Sequence, residues 1–315
     1  MQTSRPFQQV DVFTSTPYQG NPLAVVLDGT GLSDAQMQRF ANWTHLSETT
    51  FLLPPTDAGR AVGADYRVRI FDPKSELRFA GHPTLGSCHA WLQAGGQPRA
   101  AKMVVQECAV GLVQIRREVH AQGNRLLFAA PPLTRSAPSA RLLAQVAAAL
   151  GLKPRDVVAA QMLDNGLSWL GILLDSPQTV LQLAPDHLAL KNTGLVVGVA
   201  GLYPVDEAPV LIARSSREAR AFGRSAPPVE DSTEPHMEVR AFAAAVDVLE
   251  DPVTGSLNAS LAQWLIADGY APEQYLVSQG TCLDRAGRVY IERDAQSQVW
   301  VGGASVTCIH GSVLL

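Results

Sequence analysis

Between Phe79 and Ser87 the chain reads FAGHPTLGS, and between Glu250 and Ser256 it reads EDPVTGS. Both stretches fit P-x-x-G-S with an ionisable residue just ahead of the proline, His82 in the first and Asp251 in the second. Each runs into an apolar helical pattern. Leu85, Cys88, His89 and Leu92 fall at i, i+3, i+4 and i+7 and stop at Gly95-Gly96, with Pro83 suited to the first turn; Leu257, Leu261, Trp264 and Leu265 do the same before Gly269. Both helices are apolar or small over much of their circumference, as expected of a helix surrounded by sheet.

Outward from these turns the likeness continues. Val68-Arg69-Ile70-Phe71 precedes the first and Val239-Arg240-Ala241-Phe242 the second, while GLVQIRRE from Gly111 and GRVYIERD from Gly287 follow them. The offsets between matching members are 171, 169 and 176 residues, far too long for a solenoid and consistent with one unit present twice. The expected fold is therefore α+β, with two pseudosymmetric lobes, each a sheet wrapped around a central helix, and the active site in the cleft between them. The Pro-, Ser- and Ala-rich PPLTRSAPSA, Pro131 to Ala140, reads as the linker, so the lobes span 1–130 and 131–315, with the last strands free to return to the first.

Local signals fill in the lobes. VDVFTSTPYQGNPLAVVLDG carries two β-rich runs around a Pro/Gly/Asn turn, a hairpin signal. Ser33 and Gln36 form a capping box ahead of a short helix, about Asp34 to Trp43. YRVRIF from Tyr66 alternates as a strand with one wet face, and MVVQECAVGLVQIRREV and NRLLFAAPP supply further strands. The polar GRSAPPVEDSTEPH, Gly223 to His236, reads as a long loop in preference to a lid.

Composition excludes several classes. A length of 315 residues suits two domains, and 46% hydrophobic content suffices for real cores. A net charge of −4, with no run of either sign, is not that of a nucleic-acid binder. No stretch approaches a membrane span, and MQTSRPFQQVDVF lacks the apolar core of a signal peptide, so a cytoplasmic protein without membrane contact is expected. Cys88, Cys108, Cys282 and Cys308 have neither C-x-x-C spacing nor partnering histidines, which points to no metal and no disulfide frame. None lies in a P-x-x-G-S turn, and Cys88 sits on the apolar face of its helix, so a two-thiol racemase is unsupported.

The chemistry rests on the helix starts. First-turn amides lack intrahelical partners and make a ready carboxylate site. Two such mouths facing each other, Gly81, Pro83 and Thr84 on one side and Gly255 and Ser256 on the other, would hold one small anionic substrate between His82 and Asp251. A histidine in a turn and an aspartate before a proline are each common as mere turn formers or caps. Their equivalent places in a repeat favour the functional reading, since turn chemistry does not require ionisable groups there. Ser256 is open between helix cap and ligand contact, Asn21 in QGNPLA between turn former and ligand, and Glu48 in HLSETTF between catalytic group and exposed junction carboxylate. Gln279-Gly280 opens a turn that could add backbone amides.

Taken together, FTSTPYQGNPLAVVLD, HLSETTFLLPP, ELRFAGHPTLGS, VRAFAAAVDVLEDPVTGSLNASLAQWL and the closing SQG with GRVYIE resemble the PhzF family, the phenazine-biosynthesis-like isomerases. The blocks run from about Asp11 to the C-terminus, with weaker likeness between about Pro131 and Glu238. The resemblance implies a diaminopimelate-epimerase-like fold, two lobes that each wrap a β-barrel around a helix, and a homodimer. It also implies Glu48 as general acid/base, His82 and Asp251 as its partners, substrate contacts from Gly81 and Ser256, and no cofactor or metal. The expected reaction moves a proton within a cyclic or conjugated carboxylate, Glu48 serving as the single base. The alternatives are a two-base racemase or epimerase of an amino or hydroxy acid, and a non-catalytic small-molecule binder. Arg78 and the CLDRAG segment depart from the family pattern, which bears on the substrate and not on the chemistry.

Overall fold

A computed structural model describes residues 3–120, 123–204 and 234–315. Residues 223–233 of the expected loop therefore lie outside the described residues. The first half of the chain contains β1 (Ser4–Val12), β2 (Asn21–Val26), α1 (Asp34–Thr44), β3 (Thr49–Leu53), α2 (Asp57–Ala61), β4 (Tyr66–Phe71) and β5 (Glu76–Leu77). It continues through α3 (Gly81–Gln93), β6 (Met103–Cys108), β7 (Gly111–His120) and β8 (Gly123–Ala129). After β9 (Thr134–Ser136) and α4 (Ala140–Ala149) come β10 (Val157–Asp164), β11 (Ser168–Leu174), α5 (Pro177–Gln182), α6 (His187–Asn192) and β12 (Val196–Leu202). The last elements are β13 (Met237–Ala243), β14 (Val248–Asp251), α7 (Gly255–Ala267), β15 (Gln274–Gln279), β16 (Gly287–Arg293), β17 (Val299–Gly303) and β18 (Ser305–Leu314). The chain is a mixed α and β protein with a large sheet and few helices.

Strand pairing follows one order twice. β1 pairs antiparallel with β2, β2 parallel with β3, and β3 antiparallel with β4. β4 then pairs antiparallel with β5 and parallel with β6, and the run ends in the antiparallel pairs β6–β7 and β7–β8. From β10 onward the same senses recur: β10–β11 antiparallel, β11–β12 parallel, β12–β13 antiparallel, β13 with β14 antiparallel and with β15 parallel, then β15–β16 and β16–β17 antiparallel. β8 joins β17, while β9 crosses to β10 and β18 to β1. Thr3 and Leu315 exchange backbone hydrogen bonds of 2.7 and 3.1 Å beside that last pair.

α3 packs against β1, β2 and β8, and α7 against the corresponding β10, β11 and β17. Their residues are buried nearly all round: every residue from Gly81 to Cys88 in α3, and Leu257 to Ala262 with Trp264 to Ile266 in α7. Each large apolar side chain so buried contributes about 1.5–3 kcal/mol. Cys88 packs within α3 as a small hydrophobe. The Ser33–Gln36 capping box starts α1 as expected.

One expectation needs refinement. Within PPLTRSAPSA, read as the linker, Thr134 to Ser136 pair with Met162 to Asp164. Asn21, open between turn former and ligand, starts β2 opposite Val12 and is fully buried. Among the described residues, no helix is long and apolar enough to cross a membrane.

Candidate functional site

The starts of α3 and α7 meet backbone to backbone. A methyl group on Gly81 would come within 3.1 Å of Gly255 Cα and 2.8 Å of the Phe128 ring, and one on Gly255 within 3.1 Å of Gly81 Cα and 3.2 Å of the His82 nitrogen. Glycine at both positions is what allows the approach. Neither helix has a side-chain cap: Ala80 has no group to offer, and Thr254 turns its hydroxyl to Asp251 Oδ2 at 2.6 Å. The first amides of both helices therefore lack side-chain caps at the point where Gly81 and Gly255 meet.

That point lies on a cavity of about 1410 Å³, lined by Asn21, Glu48, Gly81, His82, Asp251, Gly255 and Ser256 among others. Glu48 reaches it from the short connection between α1 and β3. His45 ends α1 in the left-handed region, the Thr44 and Thr49 hydroxyls lie 3.1 Å apart, and the chain is turned so that Glu48 keeps only 17% side-chain exposure. It is thus not an exposed junction carboxylate. Its Oε2 lies 3.3 Å from His82 Nε2 without the alignment of a hydrogen bond, so both buried atoms lack a hydrogen-bond partner.

Asn21 links the two sides. Its Nδ2 donates to Val253 O at 2.8 Å and Asp251 Oδ1 at 3.0 Å, and lies 3.4 Å from His82 Nδ1. A carbonyl only accepts, so the Val253 contact fixes the amide nitrogen on this side. Asn21 Oδ1 is then left buried with no partner. His82 Nδ1, facing a donor, carries the lone pair, which puts the ring proton on Nε2, toward Glu48.

Burial sets the protonation of all three ionisable groups. It lifts Glu48 to about 8, helped by the negative Asp251 and Asp72 and opposed by the Ser47 hydroxyl. Asp251 rises to about 6 through burial, against the pull of its hydrogen bonds from Thr254 and Asn21. His82 falls to about 3, again through burial, and is neutral at physiological pH. The arrangement is a protonated carboxyl group with one unpartnered oxygen beside a neutral imidazole, near two helix starts without side-chain caps.

Other expected contacts lie elsewhere. Thr84 donates its amide to Ala80 O, and its hydroxyl accepts from Gln106 Nε2 at 3.1 Å, so it faces the interior. Pro83 does not line the cavity and serves the first turn of α3. Gln279 is fully buried behind Thr254: its Oε1 accepts from the Thr254 amide and Asn258, and its Nε2 donates to Thr254 Oγ1 and Asp251 O. Gly280 adds no amide to the cavity wall either. Ser256 is not a cap, since Thr254 holds that position; its Oγ accepts from Trp169 Nε1 at 3.2 Å and its carbonyl from Asn165 Nδ2 at 3.0 Å.

Thr254, Asn165 and Trp169 also line the cavity, and motif reading missed them. Thr254 stands three residues after Asp251, a spacing that lets a hydroxyl reach back. Asn165-Gly166 is an Asn-Gly hairpin signal between β10 and β11, and it brings Trp169 to the start of α7.

The sequence pattern of the phenazine biosynthesis-like protein family, PhzC-PhzF, matches residues 10–311. Antisense-enhancing sequence 1 of Schizosaccharomyces pombe is 34% identical over an alignment of 324 positions, covering 98% of each chain. The trans-2,3-dihydro-3-hydroxyanthranilate isomerase of Pseudomonas aeruginosa is 31% identical over 296 positions, covering 92% of this chain and 90% of the relative. Among solved structures, a PhzF-family phenazine biosynthesis protein of Bacillus anthracis superposes with a TM-score of 0.78 at 22% identity, over 99% of this chain and 100% of that one, a likeness of fold.

Proposed function

This chain belongs to the phenazine biosynthesis-like (PhzF) family and is an isomerase, and from that premise we propose that it moves a proton within a small cyclic or conjugated carboxylate, with Glu48 as the single acid/base. The observation that carries this reading is the convergence of three buried polar atoms without partners, Glu48 Oε2, His82 Nε2 and Asn21 Oδ1, on one cavity. Buried polar atoms are almost always satisfied, so three together are the complement of a polar ligand.

The substrate carboxylate lies at the paired starts of α3 and α7. Its hydroxyl or amino group donates to Asn21 Oδ1 or bonds His82. With a pKa of about 8, about a tenth of Glu48 is ionised at pH 7, and that fraction is a stronger base than an ordinary carboxylate. It takes a proton from a carbon acidified by conjugation, the double bonds shift, and the same carboxyl returns the proton to another carbon. Composition is unchanged and one group serves both steps. A two-base inversion would draw its second base from His82 or Asp251, but burial makes His82 a weak base whose Nδ1 faces Asn21, and both Asp251 oxygens already accept hydrogen bonds from Asn21 and Thr254.

The twofold order of strand pairing supports two pseudosymmetric lobes, 1–130 and 131–315, with the cavity between them.

The test is turnover in deuterated water, followed by proton NMR, on trans-2,3-dihydro-3-hydroxyanthranilate and a panel of cyclic amino and hydroxy carboxylates. Isomerisation retaining part of the substrate's own proton supports one base. Inversion of a stereocentre with full solvent deuterium supports two, and absence of both exchange and product across the panel sinks the isomerisation reading.

A further inference from the structure

The V-R-x-F motif repeated at Val68–Phe71 and Val239–Phe242 takes no part in the chemistry above, yet it builds the same side-chain cluster twice. Arg69 Nε and Nη2 donate to the two carboxylate oxygens of Glu76 at 2.7 and 2.6 Å, and Arg240 Nε and Nη2 donate to those of Glu250 at 2.9 and 2.8 Å. Each guanidinium stacks over the phenylalanine two residues on, at 5.1 Å for Phe71 and 4.9 Å for Phe242. Each also ties the outer face of the sheet to a helix. Arg69 Nη1 donates to Asp34 in the first turn of α1, and Arg240 Nη1 donates to Val180 O and Leu183 O at the end of α5.

The glutamates sit on the short strands that lead into α3 and α7. Phe71 faces Glu76 in one hairpin, and Ala241 faces Asp251 in the other. Successive strand residues point to opposite faces, so a fork holding Glu250 on the outer face obliges Asp251 to point into the cavity. A slip of one residue would exchange them. The β13–β14 ladder is itself weak, with a shift of register between Ala241 and Ala243. Backbone pairing alone holds this register loosely.

We propose that the two Arg–Glu forks are register locks on the strands entering the site, and that Arg240 and Glu250 are positioning residues for Asp251. This rests on Asp251 being a site residue, as read above. The second fork is the deeper one, its partners 6% and 8% exposed against 15% and 38% for Arg69 and Glu76. A lysine cannot replace the fork, because an ammonium is a point charge without bidentate geometry.

The test compares Arg240→Lys, Glu250→Gln and, as a control in the other half, Arg69→Lys in the unliganded protein. Two NMR signals report on Asp251: the side-chain amide of Asn21, which donates to it, and its own carboxyl carbon followed through a pH titration. Glu48 and Glu250 act on that carboxyl, Arg240 stands behind Glu250, and His82, Asp72 and Arg285 line the same cavity. Arg240→Lys is expected to shift the Asn21 amide signal. Glu250→Gln is expected to do the same and to lower the Asp251 midpoint by at least about half a pH unit, since a negative neighbour is removed. Arg69→Lys, whose strand does not carry Asp251, should leave the Asp251 midpoint in place. If Arg240→Lys and Glu250→Gln only lower the melting temperature while both signals stay put, the fork is a stability element and the positioning role is wrong. Should Arg240→Lys fail to fold, the near-isosteric Glu250→Gln decides alone. No signal depends on turnover, so the result stands apart from whether the isomerase reading succeeds.

Discussion

The Nε2 of His82 lies 3.3 Å from the Oε2 of Glu48, and neither atom is hydrogen-bonded. In a structure that bonds nearly every other buried polar group around them, this pair is poised for a third participant. Replacing Glu48 by Gln keeps the volume and the contact but removes the transferable proton. Turnover is expected to fall by about 10²–10⁴-fold, with affinity for a carboxylate inhibitor retained. Steady-state kinetics together with calorimetric binding on one preparation would show it, and normal turnover would end the single-base mechanism.

The same substitution should stabilise the protein at alkaline pH. Glu48 titrates at about 8 when folded against about 4.5 as a free side chain, so folding binds its proton more tightly and stability declines as pH rises between those values. The decline is on the order of a few kcal/mol. Urea unfolding at pH 5 and pH 9 should show Glu48→Gln gaining on the parent only at the higher pH. An equal change at both would mean that burial does not shift Glu48.

His82 gives the opposite limb. Its folded value of about 3 lies below the ordinary 6.5, so its contribution is intact above pH 6.5 and is lost as pH falls toward 3. His82→Gln should therefore narrow the loss of stability between pH 7 and pH 4 by a margin on the order of 1 kcal/mol or more. Denaturant midpoints at the two pH values measure it, and a parallel loss in both proteins would contradict a neutral buried imidazole.

Gly81→Ala should separate the helix starts. The added methyl would lie 2.8 Å from Phe128 and 3.1 Å from Gly255 Cα, so something must move. Overpacking of this kind costs about 1–3 kcal/mol. Thermal melts should drop and carboxylate binding should weaken more than it does in a variant of equal instability made away from the site, such as Leu52→Val. Unchanged binding would remove the anion role from the paired helices.

Asp251→Asn isolates orientation from folding. Asn21 and Thr254 both donate to Asp251, so an amide in its place must turn its own donor toward one of them, at a cost of about 1–3 kcal/mol. KM is expected to rise more than kcat falls. Lost stability with intact kinetics would return Asp251 to the role of a turn residue.

Much of this geometry is legible in the chain. The repeat predicts α3 and α7 because their apolar residues recur on a helical period and their starts carry the same P-x-x-G-S spacing. Glu48 follows only from the resemblance of its LSETTF block to the family, because its neighbours alone leave it open between catalytic group and junction carboxylate. Asn21 is harder, because Gln-Gly-Asn-Pro has the composition of a turn while tertiary pairing makes it the buried start of β2. Thr84 and Gln279 fail differently: helix phase turns Thr84 toward Gln106, and three hydrogen-bonding neighbours draw Gln279 behind Thr254. A one-dimensional pattern reports which residues flank a turn but not which way they face. Trp169 and Asn165 come from a hairpin far away in sequence, and only packing brings them to Ser256.

Because β18 closes on β1, the outer neighbour of β1 is synthesised only after every other strand of the sheet described above. Until then that edge of β1 stands open. The nascent chain must shield it or wait for β18. Since Thr3 and Leu315 hydrogen-bond to each other, a short peptide joining them in a permuted chain opened at an exposed loop could hold both strands together from the start.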